Sequence, residues 1–299
     1  MPNDQPPAAA LIWAASIAGP GASARVTRRL AGGTHASTHL LATTAPDGEM
    51  VLRRYPPGDD AASREASVLT ALDGLDGWAP RLLAVDASGE RFDQPATLMT
   101  RLTGWADITS YAPSSVAEQL AQTLARLHAT PVERLAGLRR GLATTAARAS
   151  GPAAGVIAAH VGRMAGAPAV LTHFDYWSGN VLWQDGRLTG VIDWSGAALA
   201  PRGHDVSWCR LDLVLLYGEP IADTFLDAYE AAAGLTLTDS VLWDLHALAN
   251  SHSSDGVETW VPNYRELGRS DLTSAELRRR HTAWTQRRLA AADDIYANT

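Results

Sequence analysis

Three short strand-like runs, residues 25–30, 37–43 and 50–55, are joined only by Ala31-Gly32-Gly33-Thr34 and by Pro46-Asp47-Gly48. Connections this short leave no room for crossover helices, so the spacing predicts an antiparallel meander. Residues 61–72 then read as a helix, with Ala66, Leu69 and Leu72 on one face. An apolar strand is expected over 96–102, ended by Gly104.

Beyond that point the pattern turns helical. Ser115 and Glu118 have capping-box spacing, and Val116, Leu120, Leu124 and Leu127 follow on one face. One or two helices are expected in the Ala-rich region 138–164, and more from Asp205 onward. Between them lies a short β section: 169–172, 180–183, a turn at Asp185-Gly186, and 187–192. The expected architecture is α+β and two-lobed. A small antiparallel-β lobe covers 1–102. A larger helical lobe covers 103–299, with its informative loops at about 169–205 and further helices at 206–299.

Composition excludes several classes. All 25 basic residues are arginine, so a Walker A loop, which needs Gly-Lys-Ser/Thr, is ruled out. There is no Gly-x-Ser-x-Gly for a serine hydrolase. A single cysteine, Cys209, allows no internal disulfide and no CxxC motif, which points to a reducing cytoplasm. Residues 8–18 are apolar and precede Gly21-Ala22-Ser23-Ala24, as in a signal peptide, but the first seven residues carry Asp4 and no arginine. A helix packing Leu11, Ile12 and Ile17 onto the domain is the expectation. No apolar run reaches the ~18 residues of a membrane span.

Charge is uneven. Residues 203–299 hold 15 acids and 8 arginines, a net of −7, whereas 1–202 hold 17 of each. The stretch 211–264 has nine acids and no arginine. Such a surface repels nucleic acid and favours a cationic ligand. A solvated helix face is the plainer reading.

The chemistry concentrates in His173-Phe174-Asp175-Tyr176-Trp177-Ser178-Gly179-Asn180 and Val191-Ile192-Asp193-Trp194. Asp175 and Asn180 lie on a polar loop, and Asp193 ends the hairpin arm that returns to the same edge. Oxygen ligands of this kind suit Mg²⁺, which takes one or two protein carboxylates plus substrate phosphates. A free carboxylate beside it can accept a proton from a hydroxyl. Phosphoryl transfer further needs a glycine turn over the phosphates and a cation. Gly32 and Gly33 supply the turn, Arg53 the cation, and Glu65 a partner for Arg53.

The spacing His-x-Asp-x-x-x-x-Asn followed by a later Asp is that of protein-kinase catalytic and metal loops. With Leu30-Ala31-Gly32-Gly33, Val51-Leu52-Arg53, Arg64-Glu65, Leu124 to His128 and Gly203-His204-Asp205, the chain from about 25 to 215 resembles the aminoglycoside phosphotransferase family. The resemblance implies a protein-kinase-like fold and ATP-dependent transfer, with GTP as an alternative, to a hydroxyl of a small molecule. Asp175 would be the catalytic residue, and Asn180 and Asp193 the Mg²⁺ ligands. Arg53, held by Glu65, would meet the nucleotide phosphates. Val51 and the backbone from Thr100 to Leu102 would face adenine. The acceptor would be an aminoglycoside, an amino sugar or an amino alcohol, with macrolides also open, in resistance or in metabolism. No nucleic-acid or membrane partner is expected, and the chain would be a monomer or dimer.

Three features depart from the family: arginine replaces the strand lysine at 53, Asp193-Trp194-Ser195 replaces Asp-Phe-Gly, and Trp177-Ser178 replaces a frequent His-Pro pair. The first motivates a rival reading, a nucleotide-binding module without turnover. The second, with no Ala-Pro-Glu segment after it, disfavours a protein kinase. His173 reads as a buried loop anchor before a base; a zinc site with Asp175 lacks a third ligand. Asp205 reads as a loop-fixing residue and His128 as structural. Trp177, Trp208 and Trp260 are candidates for the acceptor site.

Overall fold

The computed structural model describes residues 5–30, 36–141, 149–253 and 256–296. The chain divides into two compact units, residues 1–103 with 189–195, and residues 104–188 with 196–299.

In the first unit, β1 (Ser23–Arg29), β2 (Ser37–Thr44), β3 (Gly48–Arg54), β4 (Leu82–Asp86) and β5 (Ala96–Thr100) form one antiparallel sheet, ordered β1-β2-β3-β5-β4. The meander is as the short connections require. β4 is an edge strand with Leu83 and Val85 more than a third exposed, so it shows no continuous apolar run. Helix α1 (Ala8–Ala18) packs on the sheet through Ala10, Trp13 and Ala14, against Leu41, Leu52, Ala96 and Leu98. The expected face was wrong in part: Ile12 is 70% exposed and Ile17 39%. The i, i+3, i+4 set at 10, 13 and 14 carries the large Trp13 ring, whose buried area outweighs that of Ile12 on the opposite face. Helix α2 (Ala61–Leu72) matches its predicted span, and its first N–H is taken by Asp59 Oδ1 at 2.7 Å.

Residues 189–195 join this unit through specific ties. Thr189 Oγ1 donates to the Thr103 carbonyl at 2.7 Å, and the Val191 N–H to the Trp78 carbonyl at 2.9 Å. Leu102 lies over Gly190, where a Cβ would come within 2.6 Å of its side chain. A division at 102 alone would assign this segment to the helical part.

The second unit contains α3 (Pro113–His128), α4 (Ala154–Ala165), β6 (Ala169–Thr172), β7 (Val181–Gln184), β9 (Ala198–Pro201) and helices α5 (Gly203–Tyr217), α6 (Glu219–Ala233), α7 (Ser240–Ser253), α8 (Val261–Glu266) and α9 (Ser274–Tyr296). β6 pairs with β9, which the sequence pattern had not distinguished, and β7 forms a hairpin with β8 (Arg187–Val191), inside which the unit boundary falls. The capping box does not form. α3 starts three residues earlier, with Ala112 as cap and Pro113 at the first position, where a missing N–H costs nothing. Ser115 instead accepts a bond from Gln119.

Helix α5 is buried almost all round its circumference, which makes it the central helix of this unit. Its buried polar side chains therefore need partners from the protein. Arg210 meets both oxygens of Asp244 at 3.0 and 3.1 Å, and Asp223 at 3.2 Å. Three further acids of 211–264 are met similarly: Glu219 by Arg288, Asp239 by Arg163, Glu258 by Arg278. Arginines from outside the stretch fold onto it, so most of its apparent negative charge is spent in internal ion pairs. No described helix is long and apolar enough to cross a membrane.

Candidate active site

In the first unit the candidate residues centre on Arg53. On β3 it stands opposite Thr38 and Thr97, and its Nη1 donates to Glu65 Oε1 and, at 3.0 Å, to Asp193 Oδ1. The predicted Arg53–Glu65 pair forms, and Asp193 joins it. Burial works against the Arg53 charge, but Glu65 and Asp193 more than restore it, so its pKa is raised. Glu65 is 1% exposed, and its Oε2 accepts the hydroxyls of Tyr55 at 2.5 Å and Thr97 at 2.6 Å.

Asp193 adopts φ 62°, and its Oδ1 also accepts from Ser195 Oγ at 3.1 Å. The buried Trp194 donates its indole N–H to the Val191 carbonyl, closing this turn where Phe-Gly is usual in protein kinases. Val51 lies two residues before Arg53 on the same strand face, paired with Met99. Thr100 ends β5, tied to Arg81 by two hydrogen bonds, and Leu102 is placed over Gly190. Gly32 and Gly33 lie outside the described residues.

In the second unit the candidate residues lie on the loop 173–180, held against α5. Asp205 accepts the backbone N–H of His173 at 2.6 Å and of Phe174 at 2.8 Å. Phe174 has φ 69°, a costly conformation for an aromatic residue that these bonds hold in place. His128 completes the anchor through Asp205 and the Tyr229 hydroxyl. Burial lowers the His128 pKa, so the ring is neutral and the contact is a hydrogen bond between neutral ring and carboxylate. His173 is 1% exposed and its Nδ1 accepts the Asp175 N–H at 3.2 Å, which makes it a loop anchor as expected.

Asp175 is held from two sides. Asn180 Nδ2 donates to its carbonyl and to Oδ2, both at 2.8 Å, and the Trp208 indole N–H donates to Oδ1 at 3.0 Å. Further along, Ser178 donates both its N–H (3.0 Å) and its hydroxyl (2.6 Å) to Asp212 Oδ2. The Trp177 ring folds over Gly179 and meets Tyr264 edge-on at 6.2 Å, while Trp208 pairs with Trp260 at 5.6 Å. Sequence reading missed Asp212 and the hydrogen-bonding role of Trp208. The signal was present: 205, 208 and 212 are i, i+3 and i+7, one face of one helix.

Burial pushes Asp212 up to about 6, opposed by the two bonds from Ser178 and assisted by the charge of Asp175. Burial pushes the edge-on pair His204 and His246, 4.8 Å apart, down to about 4 and about 3. Acid therefore acts in two directions. Below the unfolded histidine value the unfolded chain takes protons that the native rings refuse, so stability falls by about 2 kcal/mol per ring between pH 7 and 5. The native Asp212 takes a proton before its unfolded counterpart does, which returns about 1 kcal/mol over the same interval. A net loss of about 2–3 kcal/mol is expected in urea midpoints measured at pH 7 and pH 5. A flat profile would contradict it, and His246→Gln should reduce the slope.

Amide and carboxylate oxygens such as those of Asn180 and Asp193 are of the kind that suits a hard cation. Asn180 spends its amide N–H₂ on Asp175, which leaves its carbonyl oxygen for a metal. Asp193 engages Oδ1 with Arg53 and Ser195. Among the described residues no group of three or more His, Cys, Asp or Glu forms a metal cage. Mg²⁺ does not require one, because it keeps waters and phosphate oxygens in its shell.

A kinase-like α+β fold carrying these loops defines a phosphotransferase acting on small molecules. Residues 26–249 match the sequence pattern of the phosphotransferase enzyme family, APH, and the chain belongs to that family. Solved structures agree on the fold. Macrolide 2'-phosphotransferase MphH from Brachybacterium faecium is 19% identical, with 90% of this chain and 97% of that one covered at a TM-score of 0.61. An aminoglycoside-3'-phosphotransferase of type VIII is 20% identical, covering 79% and 97%, TM-score 0.57. Aminoglycoside phosphotransferase APH(4)-Ia, as a thermostable mutant in ternary complex with AMP-PNP and hygromycin B, is 14% identical, covering 86% and 94%, TM-score 0.59. No curated protein sequence matches the chain significantly.

Proposed function

We propose that the chain transfers the γ-phosphate of ATP to a hydroxyl of a small cationic molecule in the cytoplasm. The observation that carries this reading is Asp175, whose two carboxylate oxygens are each held by an N–H donor on an anchored loop. A carboxylate held in plane by two donors is suited to orienting a hydroxyl for in-line attack. The loose transition state of phosphoryl transfer asks for positioning more than for early proton removal. Asn180 and Asp193 are the Mg²⁺ ligands in this reading, and Mg²⁺ bound there supplies neutralisation of the phosphate charge. Arg53, oriented by Glu65, contacts the phosphates bidentately where lysine would offer a point charge. Gly32 and Gly33 cover the phosphates, and Val51 with the backbone from Thr100 to Leu102 receives the base. GTP is the alternative donor.

The acceptor class rests on less. The internal ion pairs of 211–264 weaken the argument from net charge. The feature that favours a cation is the partly exposed faces of Trp208 and Trp260, which attract ammonium groups through the ring quadrupole. The same aromatic surfaces favour a second reading, a macrolide-like acceptor, to which the likeness to MphH adds weight.

The deciding assay is transfer of labelled γ-phosphate from ATP and GTP, with Mg²⁺, to aminoglycosides, macrolides, amino sugars and amino alcohols. A labelled product made by the wild type and absent with Asp175→Asn supports the reading and names the acceptor class. Tight nucleotide binding without transfer to any acceptor favours a binding module.

A further inference from the structure

One face of α5 acts on three successive points of the catalytic loop. Asp205 holds His173 and Phe174, and Asp212 holds Ser178. Trp208 sits between them, three residues after the first and four before the second, so it projects from the same face. With the loop backbone pinned on both sides, the Trp208 indole N–H meets the loop's one chemistry-bearing carboxylate, Asp175 Oδ1, at 3.0 Å.

We propose that Trp208 is a positioning residue for the reaction, setting the rotation of the Asp175 carboxylate through its indole N–H; this rests on the phosphotransferase reading above. The terminal torsion of an aspartate is broad and two-fold, so one donor leaves it loosely defined. Asn180 fixes Oδ2, and Trp208 fixes Oδ1; together they set the plane, and with it the lone pair presented to an incoming hydroxyl. The donor is itself rigid. Indole nitrogen donates and never accepts, so the contact has one polarity. The ring is pinned by Trp260 at 5.6 Å, and the rest of its helix is buried. Packing alone would be met by phenylalanine; the N–H is what tryptophan adds.

Asp212 is a titratable group facing Asp175, and it in turn faces Tyr264 from α8 and Cys209 and Tyr217 from α5. The test is therefore run at one fixed pH near 7.5. Protein labelled with ¹⁵N-tryptophan shows up to ten indole resonances, and Trp208→Phe assigns one by its loss. That resonance is expected to move in Asp175→Asn more than any other, because its acceptor changes from a carboxylate to a neutral amide. Kinetically, Trp208→Phe should lower kcat about 10- to 100-fold for transfer to water or to an acceptor, with KM for ATP unchanged. An indole resonance indifferent to Asp175→Asn overturns the inference whether or not any transfer occurs. An unchanged kcat in Trp208→Phe overturns it as well. A responsive resonance in a wild-type protein that transfers phosphate to nothing overturns the functional reading instead.

Discussion

Asp175→Asn is expected to lower phosphate transfer about 10²–10⁴-fold while leaving nucleotide affinity near that of the wild type. The substitution preserves size but replaces one acceptor oxygen by an N–H₂ group. Asp175 Oδ1 and Oδ2 face two donors, Trp208 Nε1 and Asn180 Nδ2. Whichever way the new amide turns, one of these donors meets another donor, so the group loses both its charge and its orientation. The fold should tolerate this, since Asp205, Asp212 and His173 anchor the loop through other atoms. An unfolding loss of about 1 kcal/mol is the expectation, one neutralised hydrogen bond's worth. Transfer rates and urea midpoints measured on the same preparations separate the two effects. Undiminished transfer would remove Asp175 from the chemistry.

Arg53→Met is expected to cost about 3–5 kcal/mol of stability, because it leaves the Glu65 carboxylate buried without its cation. Tyr55 and Thr97 would still donate to Oε2, but Oε1 would lose the donor it has in Arg53. The same substitution should abolish ATP binding, since this chain has no lysine to take over. The double variant Arg53→Met, Glu65→Gln separates the two effects. Removing both charges should recover most of the stability and none of the nucleotide affinity. Chemical denaturation and calorimetric titration with ATP and Mg²⁺ read the two quantities. A single-variant loss under about 1 kcal/mol would mean that Glu65 reaches water or takes up a proton when its partner is gone.

Local features were legible wherever a short stretch of chain contains the whole cause. The meander follows from connection length, α2 from a complete apolar face, and β6 from an apolar run ended by the loop. The candidate residues Arg53, Glu65, Asp175, Asn180 and Asp193 stood out because the proposed chemistry needs those residue types at those spacings. Elsewhere the cause lay in another part of the chain. The buried face of α1 depends on which side chain reaches the sheet, and 10, 13 and 14 prevail over Ile12 through the Trp13 ring. The start of α3 went to Pro113 although Ser115 and Glu118 had the right spacing. β4 and β9 are strands because they have neighbours to pair with.

Charge shows the same division most clearly. The sequence by itself determined that 211–264 is acidic, that every cation is arginine, and that one loop carries Asp175 and Asn180 with Asp193 downstream. Only the tertiary structure decided that five of those acids are met by Arg163, Arg210, Arg278 and Arg288, and that Trp208 and Asp212 hydrogen-bond the loop. The physical reason is range. Propensity and periodicity act over a few residues, whereas a buried charge or donor must find its partner in space, at whatever sequence distance the fold supplies one.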